Sequence, residues 1–360
     1  MERLKRENYA AQVDGKLVDL YVLKNAEGME VALCNWGARV SQILTPDKNG
    51  RLDDVTLGYD TLAEARAGLA EMGAVIGRVA NRIAGARFEL AGRVYPLAAN
   101  DGRNNLHSGP VGCMNSIFDV TRADSRSLSL SLLLPDGMDG FPGNCMLSVV
   151  YTLSDENDLI VDYDAVTDAT TIVNFCNHAY FNLAGTDRDA PDILGHRLQL
   201  NARRYTLADR ELIPTGEIAP VAGTPFDFTT PRPIEERIGD DNEQLEFGRG
   251  YDHNFVLDKT DETSPGVPVF AARLSEPISG RVMEVWTTEP GIQLYTGNFL
   301  QSDGMRAKYV GKGGRPMSHR GALCLETQRF PDAVHHPNFP SMVLNPGERY
   351  RSTTVFKFRV

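Results

Sequence analysis

At 360 residues, with 42% hydrophobic and 24% charged side chains, the chain has the composition of a soluble globular protein and can bury a large core. A net charge of -11 argues against nucleic acid or an anionic membrane as a main partner, because both require a basic face. The five cysteines are scattered without a C-x-x-C pair, and neither a signal-peptide pattern nor an apolar run of about 18 residues is present, so reduced thiols and a cytoplasmic location are expected.

In chain order, Leu17–Leu23, Glu30–Cys34 and Val40–Leu44 read as strands, followed by a turn at Pro46–Gly50 where Pro fixes φ and Gly supplies a positive one. Thr61–Ala70 is the best helix candidate, with Thr61 as N-cap and Glu64 completing a capping box. Ala86–Leu97 reads as a hairpin. Leu128–Leu134 and Met146–Leu153 are strands around the loop P-D-G-M-D-G-F-P-G-N, and Asp158–Val166 alternates well. After Leu183 a long irregular section is expected, with turns at Pro214–Gly216 and Pro225–Phe228. Strands then follow at Phe255–Leu257, Val267–Leu274, Arg281–Thr288, Ile292–Thr296, Ala322–Thr327 and Thr353–Phe358, with Lys259–Gly266 as a surface hairpin loop. Many short strands punctuated by turns predict an all-β sandwich or barrel, and no βαβ rhythm supports a parallel sheet. With no repeat and no low-complexity linker, residues 1–360 are read as one domain.

The stretch N-F-C-N-H-A-Y-F-N-L (Asn174–Leu183) carries the densest chemical signal. At strand period, Asn174, Cys176, His178, Tyr180 and Asn182 share one face, while Phe175, Asn177, Ala179, Phe181 and Leu183 share the other. The first face needs partners or a ligand, because bare polar groups are costly to bury. Four further segments could complete a cleft. In G-R-V-A-N-R-I (Gly77–Ile83), Asn81 and Arg82 interrupt an apolar run; Arg82 reads either as a surface ion pair or as a donor fork for hydroxyls or carboxylates. In N-D-G-R-N-N-L-H-S-G, His107 stands either at a cleft rim or on an exposed turn. In G-Y-D-H-N-F (Gly250–Phe255), Asp252 shares a face with Asn254, whereas His253 goes with Phe255 and reads as structural. In G-A-L-C-L-E-T-Q-R-F (Gly321–Phe330), Glu326 ends an apolar strand; it either reaches water or is a buried carboxylate whose raised pKa suits a general base.

Gly311–Arg315 lacks the Walker spacing, and His335–His336 lacks the companion ligands of a metal site. No G-x-S-x-G elbow occurs.

Taken together, these segments resemble the aldose 1-epimerase (galactose mutarotase) family. The ordered motifs include Ile76–Ile83, Asn104–His107, Pro135–Gly143, Asn177–Gly185, Gly223–Phe228, Gly250–Phe255, Gly291–Phe299 and Leu325–Ala333. The resemblance implies a large antiparallel β-sandwich of the galactose mutarotase-like type. It implies Glu326 as general base and His178 as general acid, with Arg82, His107, Asp252, Asn81, Tyr180 and Gln293 binding the sugar. The expected partner is a free aldose such as galactose or glucose, with no metal or other cofactor, and the chain acts as a monomer or homodimer. His178 is expected to be held as an imidazolium by nearby carboxylates. The chain departs from the family pattern at Glu71–Gly73, where an aromatic usually precedes the Gly, and at Ser108, Cys113–Phe118 and His335. A glycoside hydrolase using Asp252 and Glu326, a phosphosugar epimerase and a non-catalytic sugar-binding protein are the alternatives.

Overall fold

A computed structural model describes residues 2–69, 71–186, 192–259, 266–300 and 309–360. Its framework is three antiparallel sheets. The largest has nine strands in the spatial order Asp119–Ala123, Ser127–Leu134, Cys145–Leu153, Asp158–Thr167, Tyr350–Arg359, Val282–Thr287, Val269–Ser275, Arg197–Leu200 and Arg232–Pro233. The C-terminal strand is inserted at its centre, pairing Ile160 with Val355 on one side and Val285 with Phe356 on the other. A five-stranded sheet runs Pro214–Pro220, Arg204–Ala208, Asp252–Val256, Gly291–Tyr295 and Cys324–Gln328, and a four-stranded sheet runs Leu20–Lys24, Glu30–Cys34, Arg39–Pro46 and Leu52–Asp54.

Period-two patterning explains why these strands form layers. In Ser127–Leu134 the residues Leu128, Leu130, Leu132 and Leu134 are buried while the intervening serines are not. Cys145–Leu153 and Asp158–Thr167 repeat the pattern with Leu147, Val149, Tyr151, Leu159, Val161 and Tyr163. These side chains form one core cluster with Leu294, Leu325 and Phe356, so the five-stranded sheet packs one face onto the nine-stranded one. Each fully buried Leu or Val there contributes about 1.5–3 kcal/mol. The Oγ1 atoms of Thr327 and Thr354 stand 2.6 Å apart, closing a polar bond inside that interface.

The strand expectations hold at Glu30–Cys34 and, within two residues at each end, for most of the others. Leu17–Leu23 is split into two strands, Lys16–Val18 and Leu20–Lys24. The helix has its capping box, Thr61 Oγ1 accepting from the Glu64 amide at 3.1 Å, yet it spans only Leu62–Ala67 and is capped at Gly68. Residue 70 of the expected helix and residues 260–265 of the expected loop lie outside the described residues. The expectation of an irregular section after Leu183 is wrong: strands Arg197–Leu200, Arg204–Ala208 and Pro214–Pro220 and the helix Glu243–Gly248, capped by Asn242, lie there. Their signal was weak because charged residues interrupt every run. Among the described residues no helix is long and apolar enough to cross a membrane.

Candidate active site

Three neighbouring strands at one side of the five-stranded sheet fix the site by register alone. Asn254, Gln293 and Glu326 are paired across three neighbouring strands, and Asp252, Tyr295 and Cys324 form the adjacent row on the same face. His253, Leu294 and Leu325 point the opposite way, into the core between the sheets. Glu326 therefore lies inside its strand rather than at its end, and only 2% of it is exposed, which decides against the water-facing alternative.

Short segments bring the other side chains above this face. Arg82–Ile83 pairs with Asn105–Leu106, which places the His107 turn beside Asn81. The bond between them is reciprocal: the His107 amide donates to the Asn81 carbonyl at 2.9 Å, and the Asn81 amide donates to His107 Nδ1 at 3.1 Å. An Nδ1 that accepts leaves Nε2–H as the ring's donor. Asn81, His107 and Ser108 all have positive φ, a cost held in place by these bonds and by Ser108 Oγ, which accepts from the Val79 amide at 2.7 Å. The departure at Ser108 is thus a buried backbone clamp.

Cys176–Asn177 pairs with Val75–Ile76, and the next residue, His178, is gripped at both backbone groups: its amide donates to Ala74 O and its carbonyl accepts from the Gly73 amide, each at 2.9 Å. Gly73 has φ +74°, and a Cβ there would stand 2.1 Å from Val40 O. Beyond His178 the alternation seen in the sequence persists although the chain is not a continuous strand. Tyr180 turns to the site, while Phe175, Ala179, Phe181 and Leu183 enter the core. Asn174 and Asn182 do not face the cleft. They tie neighbouring backbone, Asn174 to Arg329 and Asn182 to Gly321.

These elements enclose a cleft of about 540 Å³ lined by Glu326, His178, Arg82, His107, Asp252, Asn81 and Tyr180 among the expected residues. Gln293 does not line it; its Nε2 donates to Asp252 Oδ1 at 2.7 Å and so orients that carboxylate. Arg82 donates from Nε to Asp101 Oδ2 at 2.8 Å while its side chain remains on the cleft wall. The Tyr180 ring stacks on His178 with centroids 5.1 Å apart, and His107 meets His178 edge-on at 5.2 Å. Sequence reasoning missed Glu71, Asn100, Asp101, Tyr295, Phe299 and Tyr309 on the wall. Tyr295 was reachable, since it lies two residues from Gln293 on one strand face.

At the centre, His178 Nε2 stands 3.5 Å from Glu326 Oε1. Burial raises the Glu326 pKa to about 8, and the Asp252 charge adds to the rise. Burial lowers His178 to about 4. The expectation of a carboxylate-held imidazolium is therefore corrected: in the free site burial disfavours the charged form of both members, pushing His178 down and Glu326 up. Asp252 is raised by burial, opposed by Arg82 and Gln293, and His107 is kept neutral by burial. His253 is buried against Phe226, as a structural histidine should be. His335 and His336 both face Asp332, at 2.6 and 3.5 Å.

The aldose 1-epimerase family profile matches residues 19–357. The chain belongs to the aldose 1-epimerase family. A galactose mutarotase of Sus scrofa is 42% identical over 335 residues, covering 93% of this chain and 92% of that protein. An aldose 1-epimerase of Escherichia coli (strain K12) is 35% identical over 355 residues, 98% of each chain. In three dimensions an aldose epimerase homologue from C. elegans matches with a TM-score of 0.86 at 31% identity, covering 95% of this chain and 99% of that one. Membership makes this chain an isomerase of aldose anomers, and the sandwich is of the galactose mutarotase-like type. The hydrolase and binding-protein alternatives are not favoured.

Proposed function

We propose that Glu326 and His178 are the acid–base pair of this epimerase and that free hexoses, galactose and glucose, are its substrates. The single observation that carries the assignment is the 3.5 Å approach of His178 Nε2 to Glu326 Oε1 on a buried polar wall. An anomeric carbon bears two oxygens, the C1 hydroxyl and the ring oxygen, so a base and an acid must stand side by side to serve both. The Glu326 carboxylate removes the hydroxyl proton. The C1–ring oxygen bond breaks, its electron pair goes to the ring oxygen, and His178 delivers a proton there. The open-chain aldehyde turns about C1–C2, and the reverse transfers close the ring on the other face.

One proton on the pair suffices throughout. Carboxylate with imidazolium is the state that opens the ring, and carboxylic acid with neutral imidazole is the state that remains afterwards. Sugar hydroxyls entering the cleft replace the missing solvation of the charged form. Each positioned group supplies roughly 10²–10⁴-fold. Asn81, Arg82, His107, Asp252 and Tyr180 hold the hydroxyls, and Gln293 acts through Asp252. The chain works as one domain, in the cytoplasm, as a monomer or homodimer; its five cysteines are free and buried, which suits a reducing compartment.

Polarimetry of freshly dissolved α-D-glucose and α-D-galactose tests the assignment. The protein is expected to speed the decay to an unchanged final rotation, and Glu326→Gln to abolish the acceleration. A folded Glu326→Gln variant with near-normal kcat overturns the pair.

A further inference from the structure

Each member of the pair touches a cysteine. Cys176 Sγ lies 3.5 Å from Glu326 Oε2, on the side away from His178, and donates to it. Cys324 Sγ lies 3.4 Å from His178 Nδ1, the ring nitrogen that the substrate does not use. Cys176 sits at the edge of the central stretch, and Cys324 faces the same way as Glu326 two residues on. Both thiols are fully buried, and burial with the nearby carboxylates keeps them protonated. Cys113 and Cys145 lie in the large core instead and are not among the groups facing the pair.

We propose that Cys176 and Cys324 are positioning residues of the epimerase reaction, each holding one member of the acid–base pair through a thiol bond that accepts both of that member's protonation states. The proposal rests on the assignment of Glu326 and His178 above. Its physical content lies in what a thiol can do that other partners cannot. A carboxylate at Nδ1 would lock His178 as imidazolium, and a backbone amide would lock it neutral. Proton transfer takes place at Nε2, so Nδ1 keeps its hydrogen in both charge states, and the Cys324 sulfur, a weak acceptor, takes a bond from Nδ1–H in each without fixing the charge. The ring stays oriented while its charge changes twice per turnover. At Glu326 the S–H is a weak donor that binds Oε2 whether or not Oε1 carries the proton. A hydroxyl in its place would favour the carboxylate more strongly and unbalance the pair.

The titratable groups facing Glu326 are His178, Cys176, Asp252, Glu71 and Arg82, and those facing His178 are Glu326, Cys324, His107, Tyr180 and Tyr295. Among the described residues the two thiols lie within hydrogen-bond range of the pair at Glu326 Oε2 and His178 Nδ1, the atoms other than the facing Oε1 and Nε2. Their effect is therefore separable from substrate binding.

The test uses Cys176→Ala, Cys176→Ser, Cys324→Ala and Cys324→Ser in the full chain, with Cys145→Ala as a control in the nine-stranded sheet. Losing one such hydrogen bond is expected to lower kcat roughly five- to tenfold with KM unchanged. Cys324→Ser is expected to recover part of the loss. Cys176→Ser is expected to move the alkaline limb of the kcat profile to lower pH, and Cys176→Ala to higher pH. Infrared spectroscopy of the S–H stretch supplies a reading that needs no thiol variant to fold: Glu326→Gln is expected to shift one S–H band of the otherwise native protein. Folded Ala variants with unchanged kcat and pH profile overturn the proposal, as does an unshifted S–H band. Equal losses in Ala and Ser variants, tracking lost thermal stability, overturn it in favour of packing. A Glu326→Gln enzyme that remains active fails the underlying assignment instead, so the two failures are distinguishable.

Discussion

The two faces of the five-stranded sheet are built from alternate residues of the same three strands, and they obey opposite rules. On one face His253, Leu294 and Leu325 point into a mostly apolar core, where the few polar groups are structural. On the other, Glu326 is equally buried and Asp252 half-buried, yet both carboxyl groups line the cleft, with Gln293 behind Asp252. Burial alone therefore does not separate core from site. The difference is what each face meets: the first meets a second sheet, and the second meets short, strained segments that leave a cleft.

Substitutions one residue apart should separate the two faces. Glu326→Gln has the largest expected effect, a kcat loss of roughly 10²–10⁴-fold with little change in KM, read by polarimetry. Its stability should move the other way. A carboxyl raised to about 8 keeps the folded state favoured below the ordinary carboxylate range of 4.5, and that advantage is lost as pH rises toward 8. Glu326→Gln removes the ionising group, so its melting temperature should exceed the native one in alkaline buffer, measured by calorimetry. Leu325→Ala, on the core face, should cost about 2–5 kcal/mol in denaturant unfolding while the folded enzyme keeps its kcat. A Leu325→Ala enzyme that lost kcat without losing stability would erase the contrast between the faces.

Smaller effects sharpen it. Asp252→Ala should raise KM roughly ten- to a hundredfold, the loss of a charged hydrogen-bond partner for a hydroxyl, with a lesser change in kcat. The pH profile of kcat/KM should be bell-shaped, with limbs near the pair's values of about 4 and about 8. Below the first limb both members are protonated and no base remains; above the second both are bare and no acid remains. A single limb would show that only one titrating group controls the rate, against a working acid–base pair.

The core face was readable in the sequence because it is made by alternation, which the backbone translates directly into a buried side. Ser127–Leu134 and Asp158–Thr167 are plain examples. The site was readable only in part. The period placed Asp252 apart from His253, and His178 and Tyr180 on one side of Asn174–Leu183, because those relations lie within one segment. The convergence of Arg82, His107, His178 and Glu326 depends on pairings between segments far apart in the chain, and local patterning holds no record of them. The resemblance to a family supplied that step. The charge of His178 was misjudged for a related reason: carboxylates are visible in a sequence, whereas the depth of burial that outweighs them is not.

The grip on His178 has a consequence for how this enzyme can change. Its imidazole is held in place through the backbone of a two-residue stretch that must pass within contact distance of Val40 O, where Gly73 leaves no room for a side chain. Two positions earlier, Glu71 lines the cleft. A library that randomises residue 71 while keeping residue 73 as glycine therefore varies the cleft wall and the charge near Glu326 with the backbone grip on His178 intact, whereas one that varies both would discard its members at residue 73 before selection could act on the cleft.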